Sequence, residues 1–191
     1  MSTTPEVTNQ ENEEFILIGN EKFVPMITES DLQKRIEELG KQISEDYKNK
    51  LPIFIGVLNG SFMFLSDLLK NVDVHCEMDF LKLSSYGDEK LSSGKVKMLK
   101  ELNADISERH VIVVEDIVDS GLSLSYMKRL LEQFNPASIR YASLLVKPGS
   151  LKYDVKIDYI GFEISNEFVI GYGLDYAQKY RNLRSIYVLS E

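Results

Sequence analysis

Two adjacent carboxylates, Glu115 and Asp116, follow an apolar run from Val111 to Val114, and Asp119, Ser120, Gly121 and Ser123 come directly after them. Residues of these types at this spacing suit the grip of a small anionic ligand. The run Val111-Ile-Val-Val is β-branched throughout and reads as a buried strand. It sets Glu115 and Asp116 at the strand exit, where burial gives way to a cleft. A short turn then opens a helix, whose first amides have no partner within the helix and whose positive dipole end favours a dianionic phosphate. Gly121 permits close backbone approach, and the hydroxyls of Ser120 and Ser123 add donors. Neither the G-x-x-x-x-G-K-S/T loop nor the three-glycine dinucleotide pattern is present, so the expected ligand carries a monophosphate on a sugar. Carboxylates beside such a site can hold sugar hydroxyls and, through water, a hydrated Mg²⁺. For Asp119 and Ser120 alone, capping of the helix accounts for the residue types. Capping does not require Glu115 and Asp116, and two acids set against a buried strand are costly unless they serve a site.

The elements that must position these residues alternate between strand and helix. Thr28 and Asp31 have capping-box-like spacing, and Leu32, Ile36, Leu39, Ile43 and Tyr47 follow at helical intervals. Leu51 to Leu58 is a continuous apolar run of strand length, and a helix is expected from about Phe62 to Lys70. Val74 to Ser84 alternates as a further strand, after which Ser85 to Lys95 becomes polar and reads as a long mobile loop. His110 to Asp116 is the clearest buried strand. A helix from about Leu122 to Phe134 follows it and ends at Asn135-Pro136. Strands are then expected over SIRYASLLV, KIDYIGFEI and RSIYVLS. Such alternation predicts an α/β fold with a mostly parallel twisted sheet flanked by helices and with ligands beyond the carboxyl ends of the strands.

The 191 residues, 43% of them hydrophobic, suffice for one well-filled core. A single domain over residues 14–191 is expected, preceded by a polar, acidic and flexible arm over residues 1–13. The formal net charge of −8 opposes attraction to a nucleic-acid backbone. No apolar run approaches the roughly 20 residues that cross a bilayer, and the polar start lacks the pattern of a signal peptide, so the expected location is the cytoplasm. Cys76 is the single cysteine, which rules out an internal disulfide. Within an apolar strand it reads as buried filler rather than as a nucleophile paired with His75, whose side chain would point to the opposite face. His75 and His110 are the only histidines, too few to suggest a zinc cluster.

The segment from Val114 to Gly121, VEDIVDSG, resembles the phosphoribosyl pyrophosphate motif of type I phosphoribosyltransferases. Three further motifs, LNGS at Leu58 to Ser61, SSYG at Ser84 to Gly87, and LLVK followed by GFEISNEFVIGYGLDYAQKYRNL from Leu144 onward, are similar to the hypoxanthine-guanine branch and occur in its order. The resemblance runs from about Phe15 to Ser190. It implies the type I phosphoribosyltransferase fold with a small hood and a flexible lid loop. The implied activity is purine salvage, making IMP or GMP plus pyrophosphate from hypoxanthine or guanine and phosphoribosyl pyrophosphate, with Mg²⁺ as cofactor and a homodimer or homotetramer as the working form.

Residue by residue, the resemblance implies that Glu115, Asp116, Ser120, Gly121 and Ser123 bind the ribose phosphate, and that Asp119 is the general base or acid at purine N7. Leu58, Asn59 and Gly60 would bind pyrophosphate through backbone amides, with a cis peptide joining Leu58 and Asn59, and Arg181 would face the same group. Many relatives carry Lys where this chain has Asn59, so one cation of that turn is missing here. Ser85 and Tyr86 would belong to the lid that shields the reacting sugar from water. Lys147 would donate to the purine 6-oxo group, Phe168 would stack on the base, and Val169 would read its edge through the backbone. Asp175 would be associated with a second Mg²⁺, beside Glu115 and Asp116 acting partly through water. A xanthine-preferring relative is one alternative, and a non-catalytic regulator that senses phosphoribosyl pyrophosphate and binds RNA is another. The acidic balance opposes RNA, and the full set of base-side residues favours catalysis.

Overall fold

The structure, a computed structural model, describes residues 15–86, 95–100 and 102–190. The expected arm over residues 1–13 lies outside the described residues. In chain order the elements are β1 (Ile16–Ile18), β2 (Glu21–Ile27), α1 (Glu29–Asp46), β3 (Ile53–Leu58), α2 (Phe62–Lys70), β4 (Glu77–Tyr86), β5 (Lys95–Lys100), β6 (His110–Val118), α3 (Leu122–Glu132), β7 (Ser138–Val146), β8 (Tyr159–Glu163), β9 (Val169–Ile170) and β10 (Ile186–Leu189).

The apolar runs singled out in the sequence build the main sheet. Its six strands lie in the order β5-β4-β3-β6-β7-β8, with every neighbouring pair parallel except β4 and β5. Alternation along these strands sorts side chains to two faces. Phe54, Ile112 and Val114 join α1 and α2 in one core, while Ile53, Ile55, Val111 and Val113 pack with Leu124, Met127 and Leu131 of α3 in the other. Helix α1 starts at Thr28, whose hydroxyl accepts from the Asp31 amide at 3.2 Å. Arg35 on α1 donates to the carbonyls of Ile160 at 2.8 Å and Gly161 at 3.0 Å, covering edge strand β8. No helix among the described residues is long and apolar enough to cross a membrane.

A second sheet, antiparallel and ordered β1-β2-β10-β9, joins the two ends of the chain. It is the hood implied by the resemblance, and together with the main sheet it gives the type I phosphoribosyltransferase fold.

Three details differ from the sequence reading. Strand β6 continues to Val118, because Ile117 and Val118 pair with Leu145 and Val146, so Glu115 and Asp116 lie within the strand rather than at its exit. Part of the polar stretch after Ser84 is strand, since β4 extends to Tyr86 and Lys95 begins β5; residues 87–94 and the side chains of Ser85 and Tyr86 lie outside the described residues. Cys76 precedes β4 and is half-buried against the α1–α2 core. Burial pushes its thiol pKa up, which keeps it protonated and unreactive.

Asp79 fixes the base of the β4–β5 hairpin. It is 8% exposed and accepts from the amides of Phe80 at 2.7 Å, Ala104 at 2.9 Å and Asn103, and from Lys100 Nζ at 3.1 Å. Burial alone would raise its pKa, but the amides of Ala104, Phe80 and Asn103 and the Lys100 ammonium outweigh it and hold the carboxyl at about 2. A folded pKa below the unfolded value of about 3.9 stabilises the protein above that value, and the contribution is lost as pH falls through 2. Asp79→Ala is expected to lower the unfolding free energy by about 2 kcal/mol at neutral pH. In urea titrations the gap between variant and wild type should narrow below about pH 4.

Candidate active site

Strands β3, β6 and β7 all end on one side of the sheet, and the turns that leave them converge. Helix α3 opens at Gly121, with φ of +81° and no side-chain cap bond, so Asp119 does not cap it. Helix capping therefore leaves Asp119 unexplained. Ser120 Oγ accepts weakly from the Leu122 amide at 3.4 Å, and Ser123 is exposed on the first turn. The turn is clamped from outside, because the amides of Lys152 and Tyr153 donate to Ser120 O at 3.0 and 3.3 Å. A Cβ on Gly121 would lie a tight 3.0 Å from Val155 Cγ2, and the positive φ itself favours glycine there. Residues 115–124, apart from Asp116, line a cavity of about 120 Å³ in front of the first-turn amides.

Of the two acids of β6, Glu115 lines this cavity and Asp116 lies against Gly60 of the turn after β3. Glu115 is 6% exposed. Burial, and then the charge of Asp116, push its pKa well above the usual carboxylate value. Asp116 is raised to about 6, again first by burial; Arg181 pulls it down and Asp175 pushes it up, which places that hood pair within electrostatic reach. Asp175 Oδ1 and an Arg181 guanidinium nitrogen lie 2.6 Å apart. Asp175 Oδ2 also accepts from the Gln178 amide, and Arg181 donates to Gly173 O at 2.7 Å.

Between these groups lies the turn after β3. The Leu58–Asn59 peptide is cis, Asn59 is exposed, and Gly60 and Ser61 are buried. Ser61 Oγ donates to Val57 O at 2.7 Å. A Cβ on Gly60 would sit 1.5 Å from Asp116 Oδ2, and one on Gly173 would sit 2.1 Å from Gly60 O. The LNGS, VEDIVDSG and GYGLD segments therefore meet at one point with no room for a methyl group.

On the far side, β7 delivers Lys147. Its amide donates to Val118 O at 2.9 Å, and its Nζ lies 3.7 Å from Asp119 Oδ2. Lys147 is 8% exposed, unusually deep for a lysine, and the Asp119 side chain is open to the cleft. In the hood, Phe168 is 47% exposed and packs edge-to-face on Phe23 and Tyr176, with ring centroids 6.3 and 5.7 Å away. Val169 is buried at the start of β9.

A phosphoribosyl transferase domain model matches residues 27–177, which include most of these segments. The chain belongs to the hypoxanthine-guanine phosphoribosyltransferase family. It is 46% identical over 164 residues to a hypoxanthine-guanine phosphoribosyltransferase of Bacillus subtilis, covering 86% of this chain and 91% of that one. A solved hypoxanthine-guanine phosphoribosyltransferase of Bacillus anthracis superposes with a TM-score of 0.84 at 41% identity, over 87% of this chain and 98% of its own. A hypoxanthine phosphoribosyltransferase of Staphylococcus aureus gives 0.84 at 40% identity, over 87% and 90%.

Within this phosphoribosyltransferase the structure groups the residues of the phosphate turn, the acid pair, the LNGS turn, Asp175 and Arg181, with Lys147 beside Asp119. A roomier groove of about 680 Å³ lies between α3 and the start of β7. Its Arg140 and Lys156 are engaged by Asp46 and Asp158, and it lacks an amide cup. Among the described residues no cluster of three or more His, Cys, Asp or Glu is set to enclose a metal. Adjacent carboxylates that leave most coordination positions open suit Mg²⁺, which keeps waters and takes substrate phosphate oxygens. Sequence reasoning missed Tyr172, Gly173 and Asp67; the two glycines flanking Tyr172 were the visible signal.

Proposed function

We propose that this enzyme transfers the phosphoribosyl group of phosphoribosyl pyrophosphate to hypoxanthine or guanine, giving IMP or GMP and pyrophosphate. The observation that carries this reading is the pairing of Lys147 Nζ with Asp119 Oδ2 at 3.7 Å, at the ends of adjacent strands. A donor and an acceptor side by side complement the neighbouring O6 acceptor and N7–H of a 6-oxopurine. The exocyclic amino group of adenine would instead set donor against ammonium.

In this reading the amides and hydroxyls of residues 120–123 hold the 5′-phosphate, and Glu115 and Asp116 hold the ribose hydroxyls. Phe168 stacks on the base, and the backbone at Val169 reads its edge. The lone pair of purine N9 forms the bond to the anomeric carbon as the bond to the pyrophosphate oxygen breaks, its electrons leaving with pyrophosphate. Asp119 takes the N7 proton, so that the base becomes neutral as it gains its sugar. Arg181 and the amides of Asn59 and Gly60 hold the departing pyrophosphate. Glu115, Asp116 and Asp175 would hold Mg²⁺, partly through water, and the bound ion would supply charge neutralisation on that leaving group. Ser85 and Tyr86 are assigned to a lid over the sugar. The reading extends to a homodimer or homotetramer resident in the cytoplasm.

The test is incubation with phosphoribosyl pyrophosphate, Mg²⁺ and a panel of hypoxanthine, guanine, xanthine and adenine, scored for nucleotide. Turnover of the first two is expected; xanthine alone, or none of the four, would overturn the reading. Lys147→Ala should reduce the preference for hypoxanthine over adenine by at least about tenfold in kcat/KM, because the group that rewards O6 is gone. An unchanged ratio would remove the O6 contact.

A further inference from the structure

Tyr172 stands between Gly171 and Gly173 in a turn where all three residues have positive φ, at 95°, 49° and 99°. Glycine adopts such angles freely, whereas a bulky aromatic residue does so only where its surroundings over-determine it. Tyr172 is 2% exposed, so it is no candidate for touching substrate. Its hydroxyl donates to Asp67 Oδ2 at 2.6 Å, across 105 positions of chain. Asp67 belongs to α2, and the same oxygen accepts from Gln33 Nε2 of α1 at 3.0 Å, while Oδ1 accepts from Lys70 Nζ at 2.8 Å. The hydroxyl thus ties the hood turn to both helices that pack on one face of the sheet.

The other side of the same turn carries the groups assigned to pyrophosphate. Gly173 accepts from the Arg181 guanidinium at 2.7 Å, and its amide donates to Arg181 O at 2.8 Å. It also abuts the carbonyl of Gly60, two residues before α2 begins at Phe62. The LNGS turn and the arginine are therefore referenced to one rigid body: the turn through the chain leading into α2, the arginine through Tyr172 and Asp67.

We propose that Tyr172, through its hydrogen bond to Asp67, is a positioning residue for the pyrophosphate half of the site. It holds Gly173 on Gly60 and so sets the distance between the Arg181 guanidinium and the amides of Asn59 and Gly60. The proposal rests on the assignment of pyrophosphate to that turn. Its consequence is selective: the 5′-phosphate turn after β6 and Lys147 after β7 hang on strands that the Tyr172 hydroxyl does not touch.

Tyr172→Phe keeps the buried ring and removes only the hydroxyl. Steady-state kinetics on the whole enzyme, in both directions, should show KM for phosphoribosyl pyrophosphate and for pyrophosphate raised about tenfold, the scale of one lost hydrogen bond to a partly buried charge. KM for hypoxanthine should stay within about twofold. Asp67→Ala, which removes the acceptor, should raise the same two constants, and the double variant should be no worse than the poorer single one, as two halves of one contact require. Unchanged constants for both pyrophosphate-bearing substrates in Tyr172→Phe, an equal rise for every substrate, or multiplying effects in the double variant would each overturn the proposal. Arg181→Ala separates the two levels of inference. If it leaves pyrophosphate affinity untouched, the pyrophosphate assignment itself fails; if it weakens that affinity while Tyr172→Phe does not, only the positioning role fails.

Discussion

Asp119→Asn is expected to lower kcat by about 10²- to 10³-fold while KM for phosphoribosyl pyrophosphate shifts by less than about threefold, the signature of a lost proton acceptor in an intact binding site. Asn matches Asp in shape, and the exchange breaks no helix cap, since α3 starts at Gly121 without one; it removes only the charge opposite Lys147. What disappears is the capacity to take the N7 proton beside Lys147, whose ammonium lies 3.7 Å away. Near-normal turnover would exclude Asp119 as the general base. A parallel rise in KM for phosphoribosyl pyrophosphate would move its role from the base to the sugar.

Gly60→Ala is expected to disrupt the site severely. The new carbon would fall 1.5 Å from Asp116 Oδ2 and 2.3 Å from its Cγ, so either Asp116 swings out of the cleft or the LNGS turn moves away from it. Retreat toward the hood is blocked, because Gly173 already lies against Gly60 O. Overpacking of this kind costs about 1–3 kcal/mol, which a domain of this size survives. Catalysis has less margin: kcat/KM for phosphoribosyl pyrophosphate is expected to fall by at least about 100-fold, since an error of 1 Å in reactant placement alone has that effect. Wild-type kinetics in this variant would show that the turn and Asp116 do not act on one substrate.

The main sheet was legible because strands buried on both faces leave unbroken apolar runs, as in Ile53–Leu58 and Val111–Val114, and because turn residues such as Asn135-Pro136 punctuate them. The acid pair was legible as chemistry but misplaced by a few positions. Charged residues read as the end of a strand, whereas backbone pairing of Ile117 and Val118 with β7 carries it past them. The strands of the hood went unmarked at the chain start: β2 contains Pro25 and two charged residues and gains its partner only from β10, some 160 positions away. Pairing of that range leaves no local period to read. The contacts of Gly60 with Asp116 and of Gly173 with Gly60 were illegible for the same reason, since a glycine advertises missing bulk without naming the atom that needs the space.

The strand order carries one more implication. Strand β6 lies between β3 and β7, so under the proposed assignment the leaving group, the sugar phosphate and the incoming base would dock in a row across the sheet rather than stacked above it. In that arrangement the phosphate end of the sugar would be tethered in the middle berth. Transfer would then amount to a sideways swing of the anomeric carbon away from the β3 berth and toward the β7 berth, with the 5′ end as pivot. On the β3 side Gly173 lies against the carbonyl of Gly60, so in the proposed assignment the hood would form the outer wall of the berth from which pyrophosphate leaves.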